Sequence, residues 1–333
     1  MNSRERFNAT LHFQRPDRIP FYDEEIREET LDRWHRQGLP KGKDPRELFG
    51  LDGWWEIDRD IVPVNLEMNP EFRGRFSSKE DFERLKRSFN PDDTSRYPNN
   101  WENLVRQWKD RNYPLGILAW IGFFGPLNSG RVPDTVYHSL IDIVRMIYSN
   151  PELLEEMAQF IADFSIRAMS KALNEVEIDY AILAEPIAEN SGPVISPSNF
   201  QRFVIPCYKK IIKVLYNHGI DIIILGTVGN VKQLIPLCLE VGVNGLWCME
   251  TKPAGVDYVS LRKKYGRKLA LIGGIDIGSL AQDKETIKAE ILSKVPYLIS
   301  SGGYIPMVDD RVREYVPFEN YAYYRELIRE LAR

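Results

Sequence analysis

GLWCME (residues 245–250), LIGGID (271–276) and GGYIPMVDD (302–310) share one form: a short apolar run that ends in a carboxylate. Apolar runs of this length read as strands buried on both faces, and long amphipathic stretches lie between them. Such alternation predicts a parallel sheet with helical crossovers. If the sheet closes into a barrel, the C-terminal ends of its strands meet at one mouth. Glu250, Asp276, Asp309 and Asp310 are therefore expected to converge there.

Working outward, further strands are predicted at 19–22, 60–66, 114–122, 179–185 and 220–226. With those at 243–249, 268–274 and 302–307 they make eight strand–helix alternations, the count of a single (β/α)8 TIM barrel over residues 1–333. Helices are predicted at 4–12, capped by Ser3, then at 25–36, 77–87, 101–111, 133–149 and 151–176. Others follow at 197–218, from 231, and at 256–265, 284–300 and 318–331. No internal repeat or composition break marks a second domain.

Composition narrows the function. The 333 residues are 43% hydrophobic, enough for a sizeable core, and the net charge is −4 with a pI near 5.8. That balance offers no basic stripe for nucleic acid. No apolar run reaches membrane-spanning length, and the charged, amphipathic start is unlike a signal peptide. The three cysteines, Cys207, Cys238 and Cys248, fit reduced thiols in the cytoplasm. Seven Trp and sixteen Tyr are enough to supply a pocket for a flat or apolar ligand as well as core packing.

RERFNATLHFQRPDRIPF at the start, SGPVISPSNFQRFVIPCYKKII, NVKQLIPLCLEVGVNGLW, LRKKYGRKLALIGGID and SGGYIPMVDD together resemble the uroporphyrinogen decarboxylase-like superfamily. The resemblance covers nearly the whole chain, in order. It is closest to the branch related to corrinoid-dependent methyltransferases. It implies a TIM barrel with its site at the C-terminal mouth, and leaves the reaction open because one fold carries several.

The chain departs from these relatives at several positions. Zinc methyltransferases of the superfamily carry His-x-Cys-Gly after the fifth strand, and the closer branch often Asp-x-Asp-Gly-Asn. Here the segment is Gly226-Thr227-Val228-Gly229-Asn230, without a polar group at either ligand position. Asp309-Asp310 stands where the branch often has Asp-His, and Ile277 replaces a frequent Lys. Authentic uroporphyrinogen decarboxylases hold a polyanionic tetrapyrrole with an arginine-rich segment after the first strand. Asp23-Glu24-Glu25 would repel such a substrate.

The four histidines, His12, His35, His138 and His218, all fall in helical stretches or at helix ends, so a histidine-ligated zinc is not expected. If a metal binds, Glu250, Asp276 and Asp310 are its candidate ligands, and oxygen ligands favour Mg²⁺, Ca²⁺ or Mn²⁺. Cys248 reads as a small core residue. Crowded carboxyls in a partly dry mouth should have raised pKa values and can act as general acids. Asp276 equally suits a helix cap, and Asp309 and Asp310 suit ion pairs with Arg311 and Arg313. The N-terminal Arg4 and Arg6 read as solvated charges. Gly229-Asn230 reads as a weak helix cap open to an anion.

These readings favour an enzyme that moves a methyl group from a small O- or N-methyl donor to a corrinoid held by a partner protein. Glu250 and Asp310 would protonate or polarise the leaving heteroatom. Glu185 and Asp276 would orient the substrate. Tyr22, Trp120 and Tyr304 would form pocket wall, with Asn230 nearby. A decarboxylase of a small carboxylic acid, using Arg311 or Arg313, is the alternative, and a non-catalytic ligand-binding relative is a third. Oligomeric state is not legible.

Overall fold

The computed structural model describes residues 1–23, 26–57, 78–88, 90–119 and 143–332. Its strands are β1 (Trp55–Ile57), β2 (Leu115–Ala119), β3 (Tyr180–Ala184), β4 (Ala188–Glu189), β5 (Gly192–Pro193), β6 (Ile222–Val228), β7 (Gly245–Met249), β8 (Ala270–Gly273) and β9 (Tyr304–Ile305). Seven of them form one parallel sheet in the order β1-β2-β3-β6-β7-β8-β9. β4 and β5 form a small antiparallel hairpin that follows β3. The architecture is the TIM barrel that the alternation predicts.

The expected first strand at 19–22 is extended but joins no regular ladder. It closes the barrel by scattered contacts instead. The Asp52 amide donates to the Phe21 carbonyl at 2.8 Å, the Val308 amide donates to the Asp23 carboxylate at 3.1 Å, and Ile26 makes one parallel bridge with Val312. The expected strand at 60–66 lies outside the described residues, and the ladder strand before it is β1.

Alternation sorts the strand side chains into two cores. Leu118, Tyr180, Ile182, Ile222, Ile224, Ala270, Ile272, Ile305 and Met307 point inward and pack together. Ile117, Ala181, Leu183, Ile223, Leu225, Leu246, Cys248, Leu271 and Tyr304 point outward, beneath helices such as Pro151–Glu175. Helix Ser3–Leu11 seals the N-terminal end of the barrel, and its Phe7 and Leu11 join the inner cluster. Asn2, not Ser3, caps this helix: its side chain accepts from the Glu5 amide, and the Glu5 carboxylate accepts from the Asn2 amide, both at 2.9 Å.

Two long predicted helices are each broken. The stretch 197–218 divides into Pro197–Phe203 and Ile205–Asn217, and 284–300 into Lys284–Leu292 and Val295–Ser301. Pro206 and Pro296 sit in the first turn of each second piece. Proline lacks the N–H that would continue the preceding helix and fits the first turn of a new one.

Candidate active site at the barrel mouth

At the C-terminal ends of β3, β6 and β7, exposure alternates with side-chain direction. Ala184, Gly226, Val228, Trp247 and Met249 are partly exposed, whereas Leu183, Leu225, Thr227 and Cys248 between them are buried. Register places Ala184, Gly226 and Trp247 in one row and Val228 beside Met249 in the next. These side chains line the described part of the mouth, and all are uncharged. Below them an aromatic stack crosses the barrel. Trp54 lies 5.2 Å from Trp247, and 5.1 Å from Tyr22 with the rings nearly parallel at 19°. Tyr22, expected in the pocket wall, is buried in the inner core. Trp54 and Trp247 were not singled out from sequence. The two-residue spacing from Gly245 to Trp247 on one strand face was the available signal.

The rim carboxylates do not act as one cluster. Glu250 follows Met249, is exposed, and has a left-handed backbone with φ +54°. A non-glycine residue in that region costs about 1–2 kcal/mol. Its amide donates to the Asp309 carbonyl at 2.9 Å. Asp309 is almost fully buried. It accepts from the Thr251 amide (2.9 Å), the Thr251 hydroxyl (2.6 Å) and the Ile277 amide (3.0 Å), tying together the loops after β7, β8 and β9. Burial pushes its pKa above the usual carboxylate value, against those hydrogen bonds.

Asp276 caps the short helix Ile277–Leu280 and pairs with Lys252 at 2.6 Å. Burial opposes its ionisation, but the bonds from Lys252 and Ser279 hold its pKa below the usual value. Asp310 accepts from the Arg311 amide at 2.7 Å and pairs with Arg313 at 2.9 Å. Among the described residues no group of three or more His, Cys, Asp or Glu side chains is placed to hold a metal, so Glu250, Asp276 and Asp310 do not assemble the expected oxygen site. Gly226, at an expected ligand position, is also crowded: a Cβ there would stand 2.8 Å from Cγ2 of Ile182, which a ligating side chain would have to displace.

Other expected site residues have structural positions. Glu185 is buried, and its carboxylate helps raise the pKa of Cys207, Tyr208 and Cys238, all beneath the outer helices. It therefore faces away from the mouth and cannot orient a substrate there. Tyr304 is in the outer core, donating its hydroxyl to the Gly273 carbonyl at 3.0 Å, and forms no pocket wall. Asn230 caps no helix, because the next one starts at Ile235. Its amide instead donates to the Glu189 carbonyl at 2.9 Å. The preceding Gly229 is required for that approach: with φ +77°, a Cβ there would lie 2.6 Å from the Ala188 carbonyl oxygen. Trp120 and His138 lie outside the described residues, as do Glu24 and Glu25.

Cys248 sits in the outer core, and burial pushes its thiol up to about 12. Arg4 and Arg6 are not solvated charges. Arg6 is buried and pairs with Asp17 at 2.8 Å and Asp52 at 2.7 Å; Arg4 pairs with Asp179 at 2.7 Å. Asp23, next to the stack, is buried against Arg325 at 3.1 Å and accepts from the Tyr321 hydroxyl at 2.8 Å. No helix among the described residues is long and apolar enough to cross a membrane.

Comparison with known proteins agrees with this geometry. The uroporphyrinogen decarboxylase family model matches residues 134–331. Uroporphyrinogen decarboxylase 2, chloroplastic, of Oryza sativa subsp. japonica is 24% identical over 250 residues, covering 72% of this chain and 59% of that protein. Uroporphyrinogen decarboxylase of Legionella pneumophila (strain Lens) is 26% identical over 236 residues, covering 69% and 62%. The chain thus spans about three fifths of the length of these relatives. A solved structure of a methyltransferase from Methanosarcina mazei superposes with a TM-score of 0.64 over 99% of both chains, at 17% identity. That likeness is one of fold.

Proposed function

Because the chain belongs to the uroporphyrinogen decarboxylase family, an enzyme family, we propose that it transfers a methyl group from a small neutral donor to a corrinoid carried by a partner protein. The observation that carries this reading is that the described part of the mouth's inner wall, Ala184, Gly226, Val228, Trp247 and Met249, is uncharged. A substrate carboxylate against such a wall would lose its hydration without gaining a counter-charge, which is costly. A neutral, flat donor gains burial and aromatic contact there instead. Arg313, one of the two cations assigned to the decarboxylase alternative, is already paired with Asp310.

In this account the wall would hold the donor with its methyl group toward the open mouth, the side from which a corrinoid held by a partner protein would supply the methyl-accepting chemistry. The chain then has two tasks. It excludes water from the donor, and it supplies a proton to the departing oxygen or nitrogen. Glu250 is the residue assigned to the second task. It follows the wall residue Met249, its side chain is exposed, and its backbone is held in a costly conformation of the kind that persists where the surroundings enforce it. Asp310 is tied to Arg313 and is a less available donor.

The reading is tested by calorimetric titration with matched pairs of ligands. Neutral methoxy-aromatics should bind, and their ring-carboxylated analogues should bind at least about tenfold more weakly, a difference of 1.4 kcal/mol. Tighter binding of the carboxylates would overturn it.

A further inference from the structure

A second concave site is lined mostly by one helix. Helix Glu28–Arg36 presents Glu29, Arg33 and Arg36 along one face, and with Arg27 and Glu314 they line an open cleft of about 440 Å³. The opposite face of the helix is fixed to the segment after β9. The Thr30 hydroxyl donates to the Val312 carbonyl at 3.1 Å, and the Trp34 indole N–H donates to the Val316 carbonyl at 2.8 Å. The cleft is therefore built on a braced element.

Arg33 and Arg36 are exposed and Arg27 is half-buried. None of the three makes an ion pair or side-chain hydrogen bond with another described residue, although two carboxylates line the same cleft. Helix electrostatics account for part of this arrangement. Arg33 and Arg36 stand in the last turn, where positive charge is favourable. Arg27 stands at the N-cap, where positive charge is unfavourable and where an arginine provides no side-chain cap. Its presence there calls for another cause. Three guanidinium groups without an ion-pair partner among the described residues, spread along roughly 13 Å of helix (1.5 Å per residue), suit an elongated anion. Their planar donors match phosphate oxygens in pairs.

We propose that this cleft, whose lining shares no residue with the uncharged wall at the mouth, binds a multivalent anion of the oligophosphate class. The two carboxylates leave the cleft a net charge of only +1 (three Arg, two Glu), so recognition rests on the guanidinium forks more than on bulk charge.

The test is calorimetric titration of the full chain with inorganic triphosphate at low and physiological ionic strength, with citrate as a second anion. Expected are one saturable site for triphosphate and citrate binding at least about tenfold weaker. The double variant R33E/R36E should lose at least about tenfold in triphosphate affinity, since each fork contributes charge-assisted hydrogen bonds. The charge-matched control K263E/K264E, on exposed positions outside the cleft, should bind as the parent does. Unchanged far-UV circular dichroism and melting temperature would show that both variants fold. No saturable binding, equal binding of citrate, equal loss in the control, or full binding by folded R33E/R36E would each overturn the proposal.

Discussion

The amide of Glu250 donates to the carbonyl of Asp309 at 2.9 Å across the barrel rim, and the two carboxyl groups have opposite settings. The side chain of Glu250 is exposed on a strained backbone, whereas that of Asp309 is buried and fully engaged. The sequence places both at strand ends. The structure separates the residue available for chemistry from the one that knits loops.

Glu250 should therefore show a trade between stability and activity. Replacement by Gly relieves the cost of φ +54° and should leave the protein as stable or up to about 1 kcal/mol more stable, while methyl transfer is lost. Glu250→Gln should keep the fold and lower transfer by roughly 10²–10⁴-fold, the span of a general acid. Chemical denaturation and turnover of the same samples check both, and a Gly variant with full activity would remove Glu250 from the mechanism.

Asp309 should act on stability and its pH dependence. Its carboxyl pKa is raised by burial above the ordinary 3.8, so the native state holds the proton more tightly than the unfolded chain. The sign follows: this group's contribution is most favourable below 3.8 and is lost as pH rises through its higher folded-state value. Asp309→Asn should flatten that part of the profile. It should also cost about 1–3 kcal/mol, because its amide nitrogen cannot accept from Ile277. Urea unfolding across the acidic range gives both quantities.

Gly226 should resist conversion into a metal ligand. Gly226→His puts a Cβ 2.8 Å from Cγ2 of Ile182, and crowding of this kind costs about 1–3 kcal/mol. Melting temperature should fall, and the dialysed variant should carry no stoichiometric zinc by elemental analysis. A stable, zinc-loaded variant would show that the barrel can open at this row.

The three thiols should be silent in the native protein. Cys207, Cys238 and Cys248 are buried, and burial pushes each pKa to about 12. Little thiolate exists at neutral pH, and thiolate is the reactive form. A chromogenic disulfide reagent should label none in buffer and all three in denaturant.

Much of the fold was legible because buried parallel strands are short apolar runs, and 245–249 and 270–273 need no further signal. The first barrel position is not a regular strand. Residues 19–22 are apolar and extended, yet their closure runs through Asp23, Asp52 and one bridge at Ile26. Pro206 and Pro296 divide helices that periodicity joins. The site was less legible. Convergence at strand ends cannot distinguish inward from outward direction, so Glu185 and Tyr304 were assigned to the mouth although both lie toward the helices. Likewise no local pattern tells that Asp276 meets Lys252, 24 residues away, or that Arg6 is buried.

The central claim is tested most directly by following the cobalt absorbance of a reduced corrinoid partner protein while the chain is supplied in turn with methoxy-aromatics, methylamines and small carboxylic acids. The account predicts donor-dependent methylation of the corrinoid from a neutral methyl donor, slowed in the Glu250→Gln variant, with no carbon dioxide released from the acids. Carbon dioxide release from a carboxylic acid, without methylation from any donor, would contradict it.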